Sequence, residues 1–148
     1  MTPAPRTYEI QDSRLSSCAP DVLMKVITDP RTWPQWQSEI LETDGLVPLE
    51  EGDDVEGRAR LLGFVVSGRS STVTATGSRF VEDVIVGVHM RVEYELRETA
   101  QGTRVTRRLT AALPGGFSGR VLSFLLKRRL KAMQKGVLEG LVAQAEAG

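Results

Sequence analysis

The sequence predicts an α+β fold: one curved antiparallel sheet of about seven strands around a long C-terminal helix, with two short helices after the first strand. Three observations predict it. Between residues 39 and 114 apolar residues recur with a period of two, broken only by short turns. After Pro114-Gly115-Gly116 the period becomes helical and stays so to Ala145. Between the first strand and the others stand two short proline-containing segments.

Arg6 to Ser16 reads as the first strand, with Tyr8 and Ile10 on one side and Thr7, Glu9 and Gln11 on the other. Ala19-Pro20-Asp21 opens a helix, since proline suits a first-turn position. Val22 and Val26, with Leu23 and Ile27, supply its buried face. Asp29-Pro30 stops it, because proline disfavours helical geometry in the residue before it. Arg31 to Gln37 holds both tryptophans, Trp33 and Trp36, in a short second helix interrupted at Pro34.

Six strands follow: Ile40 to Val47, Val55 to Leu61, Phe64 to Thr76, Phe80 to Val86, Val88 to Arg97 and Thr103 to Leu113. Glu50 to Asp54, Gly63, Gly77-Ser78, Gly87 and Gln101-Gly102 mark the turns. The clearest alternation sets Val88, Met90, Val92, Tyr94 and Leu96 against His89, Arg91, Glu93, Glu95 and Arg97. That pattern means one buried face and one face in water. In the last segment Val121, Leu122, Leu125, Leu126, Leu130, Met133, Val137, Leu141 and Val142 recur at spacings of three and four. Continuous from Phe117 to Ala145, this helix is roughly 43 Å long and covers more of the sheet than any other element.

The chain has 148 residues, enough for a single domain over 1–148 with one core. Hydrophobic residues make up 41% and charged residues 26%, an ordinary globular balance that argues against disorder. Nineteen basic residues match nineteen acidic ones, so the basic excess of a nucleic-acid binder is missing. One cysteine, Cys18, excludes an internal disulfide, and without a His/Cys cluster no metal site is expected. Met1 to Ile10 holds no apolar run of signal length, and no stretch approaches the roughly 18 apolar residues of a membrane span. These observations place the expectation in the cytoplasm.

Several local patterns stand in a fixed order: Ala19-Pro20-Asp21-Val22, Thr28-Asp29-Pro30, Trp33-Pro34-Gln35-Trp36, Gly52 before the third strand, and Gly102-Thr103-Arg104-Val105-Thr106 in the last hairpin. In this order the chain, over about residues 6 to 145, resembles the START-like or Bet v 1-like helix-grip superfamily. Within it the chain is most similar to the bacterial polyketide cyclase/dehydrase and lipid-transport (SRPBCC) group. The resemblance implies a pocket between sheet and long helix. It carries over no catalytic residue, because the family has no universal catalytic motif and the fold hosts many functions.

The candidate pocket residues are Trp33, Trp36, Phe64, Met90, Tyr94, Arg107, Leu122 and Leu126. The tryptophans either plug the end of the sheet or stack on a ligand ring at the pocket mouth. Met90 and Tyr94 follow from strand alternation, and Tyr94 brings a hydroxyl. Leu122 and Leu126 lie one helical turn apart on the stripe that faces the sheet. Phe64 depends on a strand register that the sequence leaves open, as do the hydroxyls of Ser70, Ser71, Thr72 and Thr74. Arg107 falls between Val105 and Leu109, so strict alternation points it into the concave side, whereas a bulge would leave it in water. A buried arginine needs a partner, and Asp12 is the candidate, since it shares a face with Tyr8 and Ile10. In that position Arg107 would anchor a carboxylate or enolate oxygen. His89, the only histidine, falls on the solvent face. Lys127-Arg128-Arg129-Leu130-Lys131 with Lys135 forms a basic run behind Phe117, Val121, Leu122, Phe124, Leu125 and Leu126. Basic plus apolar residues on one helix mark either a membrane surface or a solvated face beside a buried one.

Three functions fit these features. The leading one is binding of a small hydrophobic molecule, such as a lipid, an isoprenoid or an aromatic or polyketide-like metabolite. The second is a cyclase or dehydratase using the same cavity, with Arg107, Tyr94 and Asp12 as its polar groups. The third is a partner-binding module that uses the apolar start of the long helix. The expected partner is a small hydrophobic ligand, without nucleic acid, cofactor or integral membrane association; a weak homodimer stays open.

Overall fold

The period-two segments pair into a single antiparallel sheet. The structure, a computed structural model, describes residues 6–113 and 116–148, and of 116–118 the backbone alone. The strands are β1 (Thr7–Ser16), β2 (Ile40–Asp44), β3 (Asp54–Leu61), β4 (Phe64–Ala75), β5 (Arg79–Ile85), β6 (His89–Thr99) and β7 (Gly102–Ala112). Their order across the open sheet is β1-β7-β6-β5-β4-β3-β2, so every neighbour after the first pair is a hairpin neighbour. The turn residues read from the sequence stand between these strands. Pro114 and Gly115, read as the break before the long helix, lie outside the described residues.

The register fixes which side chains share the concave face. Tyr8 lies opposite Ala111, and Asp12 opposite Arg107. Tyr94 lies between Arg107 on β7 and Phe80 on β5. Glu82 lies between Val92 on β6 and Thr72 on β4. The register shifts between Thr72 and Thr74, where Val73 turns outward. Gly57 sits where a Cβ would run into the Glu42 carbonyl oxygen, so a side chain there would push β2 off β3.

Helix α1 (Pro20–Ile27) begins at Pro20, as expected. Its buried face is Leu23, Met24 and Ile27 rather than one led by Val22, which is largely exposed. Leu23 and Ile27 are four apart and share one stripe, while Val26 packs only at its margin. A 3-10 turn (Pro30–Thr32) leads into α2 (Trp33–Trp36). Pro34 does not interrupt this helix. It occupies the first turn, where its missing N–H is an orphan in any case. Both tryptophans are buried: Trp33 Nε1 donates to the Ile27 carbonyl (3.0 Å) and Trp36 Nε1 to Thr32 Oγ1 (2.9 Å).

The last element is one uninterrupted helix, α3 (Gly116–Ala147), of 32 residues and about 48 Å. Leu126, Leu130, Gln134, Val137, Leu141 and Ala145 form its buried stripe against the concave face. Its far end is tied down by Glu146, whose carboxylate accepts from the Ser17 backbone N–H (3.1 Å) and hydroxyl (3.0 Å). No helix among the described residues is long and apolar enough to cross a membrane.

The approach of α3 to α2 depends on a missing side chain. A Cβ at Gly140 would lie 2.5 Å from the Trp36 carbonyl oxygen and 3.0 Å from its Cα, both backbone atoms that cannot swing away. A Cβ at Gly136, one turn earlier, would meet nothing within 4 Å. Gly140→Ala should therefore destabilise the fold by about 1–3 kcal/mol. Gly136→Ala should stabilise it by up to about 1 kcal/mol through helix propensity alone. Urea unfolding of the two variants checks the opposite signs.

Candidate ligand-binding site

Where α3 passes over the middle of the sheet, the concave face is not filled. A cavity of about 110 Å³ remains between Met133 of α3 and strands β2 to β7. Most of its wall is aliphatic, from residues such as Val55, Ala59, Val84, Val92 and Leu109. The buried Arg107, Glu82 and Ser70 interrupt that wall, and the buried Gln37 and Glu39 with the exposed Glu42, Arg58, Arg60 and Arg69 line it as well.

Arg107 is on the inner face because β7 alternates without a bulge: Thr103, Val105, Arg107, Leu109 and Ala111 are all buried, and Arg107 is 4% exposed. Its Nε donates to the Tyr94 hydroxyl at 3.0 Å, and its Nη1 donates to Gln134 Oε1 on α3. Gln134 Nε2 in turn donates to the Arg107 carbonyl oxygen at 2.6 Å. The guanidinium carbon also stands 5.4 Å from the centre of the Tyr94 ring. Tyr94 is held by Trp36 edge-on (6.2 Å between centroids) and by Phe80 (6.3 Å). Asp12, expected as the partner of Arg107, is opposite it in the register, yet no ion pair joins them among the described residues. Tyr94 and Gln134 take that place.

Sequence reasoning did not single out Glu82. The signal was present, since Phe80, Glu82 and Val84 alternate on one side of β5 and Glu82 is the acid in that apolar row. Ser70 Oγ donates to Glu82 Oε2 at 2.8 Å. Burial pushes the Glu82 carboxyl up to about 7, against the opposing pull of the Ser70 hydrogen bond and the Arg107 charge. Burial likewise raises the Tyr94 hydroxyl above its ordinary value, so it stays protonated. Glu82 and Arg107 face the same cavity without a hydrogen bond or direct ion pair between them. Thr72 Oγ1, opposite Glu82 in the register, is buried with no hydrogen-bond partner among the described residues. Gln134 was overlooked as well, although it is the polar member of the helix stripe.

Of the eight residues expected at the pocket, Met90 and Arg107 belong to the cavity wall. Tyr94 stands behind Arg107 and holds it. Trp33, Trp36 and Leu126 are core residues outside the wall. Phe64 is 72% exposed, because it opens β4 at the tip of the β3–β4 hairpin. Leu122 is 43% exposed, because the buried stripe at its end of α3 runs through Gly119, Ser123 and Leu126 instead. His89 is exposed, Arg91 is paired with Asp83 at 2.8 Å, and Glu93 is half-buried under Arg79. At the rim, Arg129 of α3 forms an ion pair with the buried Glu39, which also lines the cavity.

A family model described as polyketide cyclase/dehydrase and lipid transport matches residues 7–146. Comparison with the curated proteins returns no match. Among solved structures, the Zhui aromatase/cyclase from a Streptomyces species is similar with a TM-score of 0.82 and 11% identity, over 95% of this chain and 94% of that one. The di-domain aromatase/cyclase StfQ of the steffimycin biosynthetic pathway is similar with a TM-score of 0.78 and 19% identity, over 95% of this chain. The chain spans about half, 51%, of that protein. Ara h 8.0201 is similar with a TM-score of 0.69 and 10% identity, over 97% of this chain and 100% of that one. At these identities the likeness is one of fold.

The raised Glu82 carboxyl has a consequence for stability. Between the ordinary carboxylate value of about 4.5 and the folded value of about 7, the folded protein keeps a proton that the unfolded chain has released. Its contribution is fully present below about 4.5 and is lost as pH rises through about 7. The difference between the two plateaus is about 3 kcal/mol. Urea unfolding of wild type and Glu82→Gln from about pH 4 to about pH 8 should show the variant gaining on the wild type by this order. A stability difference constant across that range would contradict the assignment.

Proposed function

The chain belongs to the polyketide cyclase/dehydrase and lipid-transport family, and from that membership and the cavity we propose that it binds a small, mainly apolar molecule carrying one oxygen-bearing head. The observation that carries the reading is an aliphatic wall interrupted by a fixed guanidinium and a half-ionised acid. Apolar contacts supply the affinity of such a site, and a few placed polar groups set the orientation. At neutral pH Glu82 only partly offsets the charge of Arg107. An enolate, phenolate or carboxylate oxygen of the ligand completes that balance, whereas an amine worsens it. A cavity of about 150 Å³ accommodates benzene. The cavity here, at about 110 Å³, is smaller, so it takes the end of a chain or the edge of a ring, with the rest of the ligand extending toward the rim. Met90, Arg107 and Glu82 are taken as its contacts. The same reading makes the protein cytoplasmic and admits lipids among its ligands, in keeping with its single cysteine.

A second reading is favoured by one observation, the titration of Glu82 near neutrality beside a permanent cation. A carboxyl near the working pH is suited to proton transfer, and a guanidinium is suited to a developing enolate. Together they support enolisation of a ketone-bearing chain and loss of water from a β-hydroxyketone in it, the α-proton and the hydroxyl leaving as water, in keeping with the aromatase/cyclases Zhui and StfQ that share the fold.

An apolar fluorescent probe should bind the native protein saturably. Ala59→Phe, which fills the cavity, should weaken that binding by about tenfold or more, with overpacking costing about 1–3 kcal/mol of stability. Leu122→Trp, on the exposed side of α3, should leave it unchanged. Equal affinity in a folded Ala59→Phe variant would place the ligand elsewhere. Arg107→Met should weaken acidic and enolic ligands more than their hydrocarbon analogues. If the chain is a cyclase, Glu82→Gln should retain probe binding and lose turnover of a poly-ketone substrate.

A further inference from the structure

The first turns of α3 leave an amphipathic surface that the cavity does not use. Val121, Leu122, Phe124 and Leu125 are 61%, 43%, 62% and 46% exposed, although the same helix buries Leu126 and Leu130 completely. From residue 116 to residue 138 this helix holds six basic residues (Arg120, Lys127, Arg128, Arg129, Lys131 and Lys135) and no acidic one. The chain as a whole is neutral, so the charge is concentrated here. Arg129 is committed to Glu39, and Lys127 stands 5.6 Å from the Tyr8 ring centre. Arg120, Arg128, Lys131 and Lys135 are exposed and make no ion pair among the described residues.

Other exposed apolar residues lie at the same end of the sheet. β7 leaves the sheet toward α3 at the end where β5 finishes with the exposed Ile85 and where the β3–β4 hairpin carries the exposed Phe64 and Val65. These strand-end residues lie at the same end of the sheet as the start of α3, and the docking face itself is the helix surface of Val121, Phe124, Leu125, Arg128 and Lys131.

We infer that this end docks on an anionic lipid surface. In helical order the apolar turn comes first and the bases follow: Arg128 lies about 4.5 Å and Lys131 about 9 Å along the axis from Leu125. An interfacial helix places its apolar face about 5–10 Å into the headgroup and acyl boundary. With Val121, Phe124 and Leu125 at that depth, Arg128 and Lys131 reach lipid phosphates. A second copy of the chain is the less suitable occupant. A two-fold contact sets each patch on its own image, which brings Arg120 and Arg128 against like charges. Anionic headgroups oppose the charge instead.

The test is sedimentation of the full chain with vesicles of phosphatidylcholine alone or mixed with phosphatidylglycerol. Partitioning should be strong on the mixed vesicles, weak on the neutral ones, and reduced by added salt. Phe124→Gln with Leu125→Gln, and separately Arg128→Gln with Lys131→Gln, should each lower binding to the mixed vesicles by about tenfold or more. All four positions are exposed, and circular dichroism verifies the fold of the variants. Three outcomes overturn the inference: no binding to the mixed vesicles, equal and salt-insensitive binding to both kinds, or a dimer in analytical ultracentrifugation that Phe124→Gln dissociates while vesicle binding is absent.

Discussion

A guanidinium that cannot return to water sets the arrangement of the concave face. Desolvating an arginine costs several kcal/mol unless its hydrogen bonds are replaced, and Arg107 is nearly fully buried. Its replacements come from two directions. Tyr94 reaches it from the neighbouring strand, and Gln134 reaches it from the long helix. Gln134 also returns a hydrogen bond to the Arg107 backbone, so the helix is pinned to β7 at this position in both rotation and height. The aromatic packing of Trp36 and Phe80 on Tyr94 then becomes part of the same requirement. Loosening any of these would leave a buried donor without an acceptor.

Neither hydrogen-bond partner of Arg107 is charged. The formal compensation comes from Glu82, which burial has brought to the edge of neutrality and which does not touch the guanidinium. A site built this way is polarised but not closed on itself. Ser70 is engaged with Glu82, while the Thr72 hydroxyl has no hydrogen-bond partner among the described residues. The Glu82 carboxyl and the Arg107 guanidinium therefore face the cavity without meeting each other, beside a largely apolar wall. That combination suits an oxygen attached to an apolar body.

The long helix performs different tasks along its length. Its C-terminal half is pressed against α2 and the start of α1 through Gly140 and Glu146. Its middle supplies Met133 and Gln134 to the site. Among the described side chains of its N-terminal turns, Gly119 and Ser123 are buried on the inner side and Val121, Leu122, Phe124 and Leu125 face outward. A small inner stripe and a large outer one reverse the usual order of an amphipathic helix. The reversal occurs where the helix leaves the sheet.

Local chemistry was enough to read the order of elements from the chain. Period-two alternation, turn glycines and the change of period after residue 116 act within a few residues of each other, so the strands and the single long helix were legible. Alternation on β7 also pointed Arg107 inward, because no bulge intervenes there. The partners of Arg107 were not legible. Asp12 was the expected one, but cross-strand opposition sets backbone neighbours, while hydrogen bonds follow side-chain reach and the position of an element distant in sequence. The same holds for Leu122. A stripe of leucines at helical spacing does not reveal which of its edges meets the sheet, since that depends on the rotation at which Gln134 and Gly140 dock α3. Glu82 was visible as an acid in an apolar row. Its titration near neutrality followed only once the sheet curled and α3 covered it, because desolvation is a property of the enclosure and not of the residue. The sequence by itself determined the elements, their order and the inward side of the cleanly alternating strands such as β6, all of them short-range consequences of backbone geometry. The tertiary structure alone decided where the cavity lies, which polar groups converge on it, and which apolar residues remain outside, because each depends on how one helix is seated against seven strands.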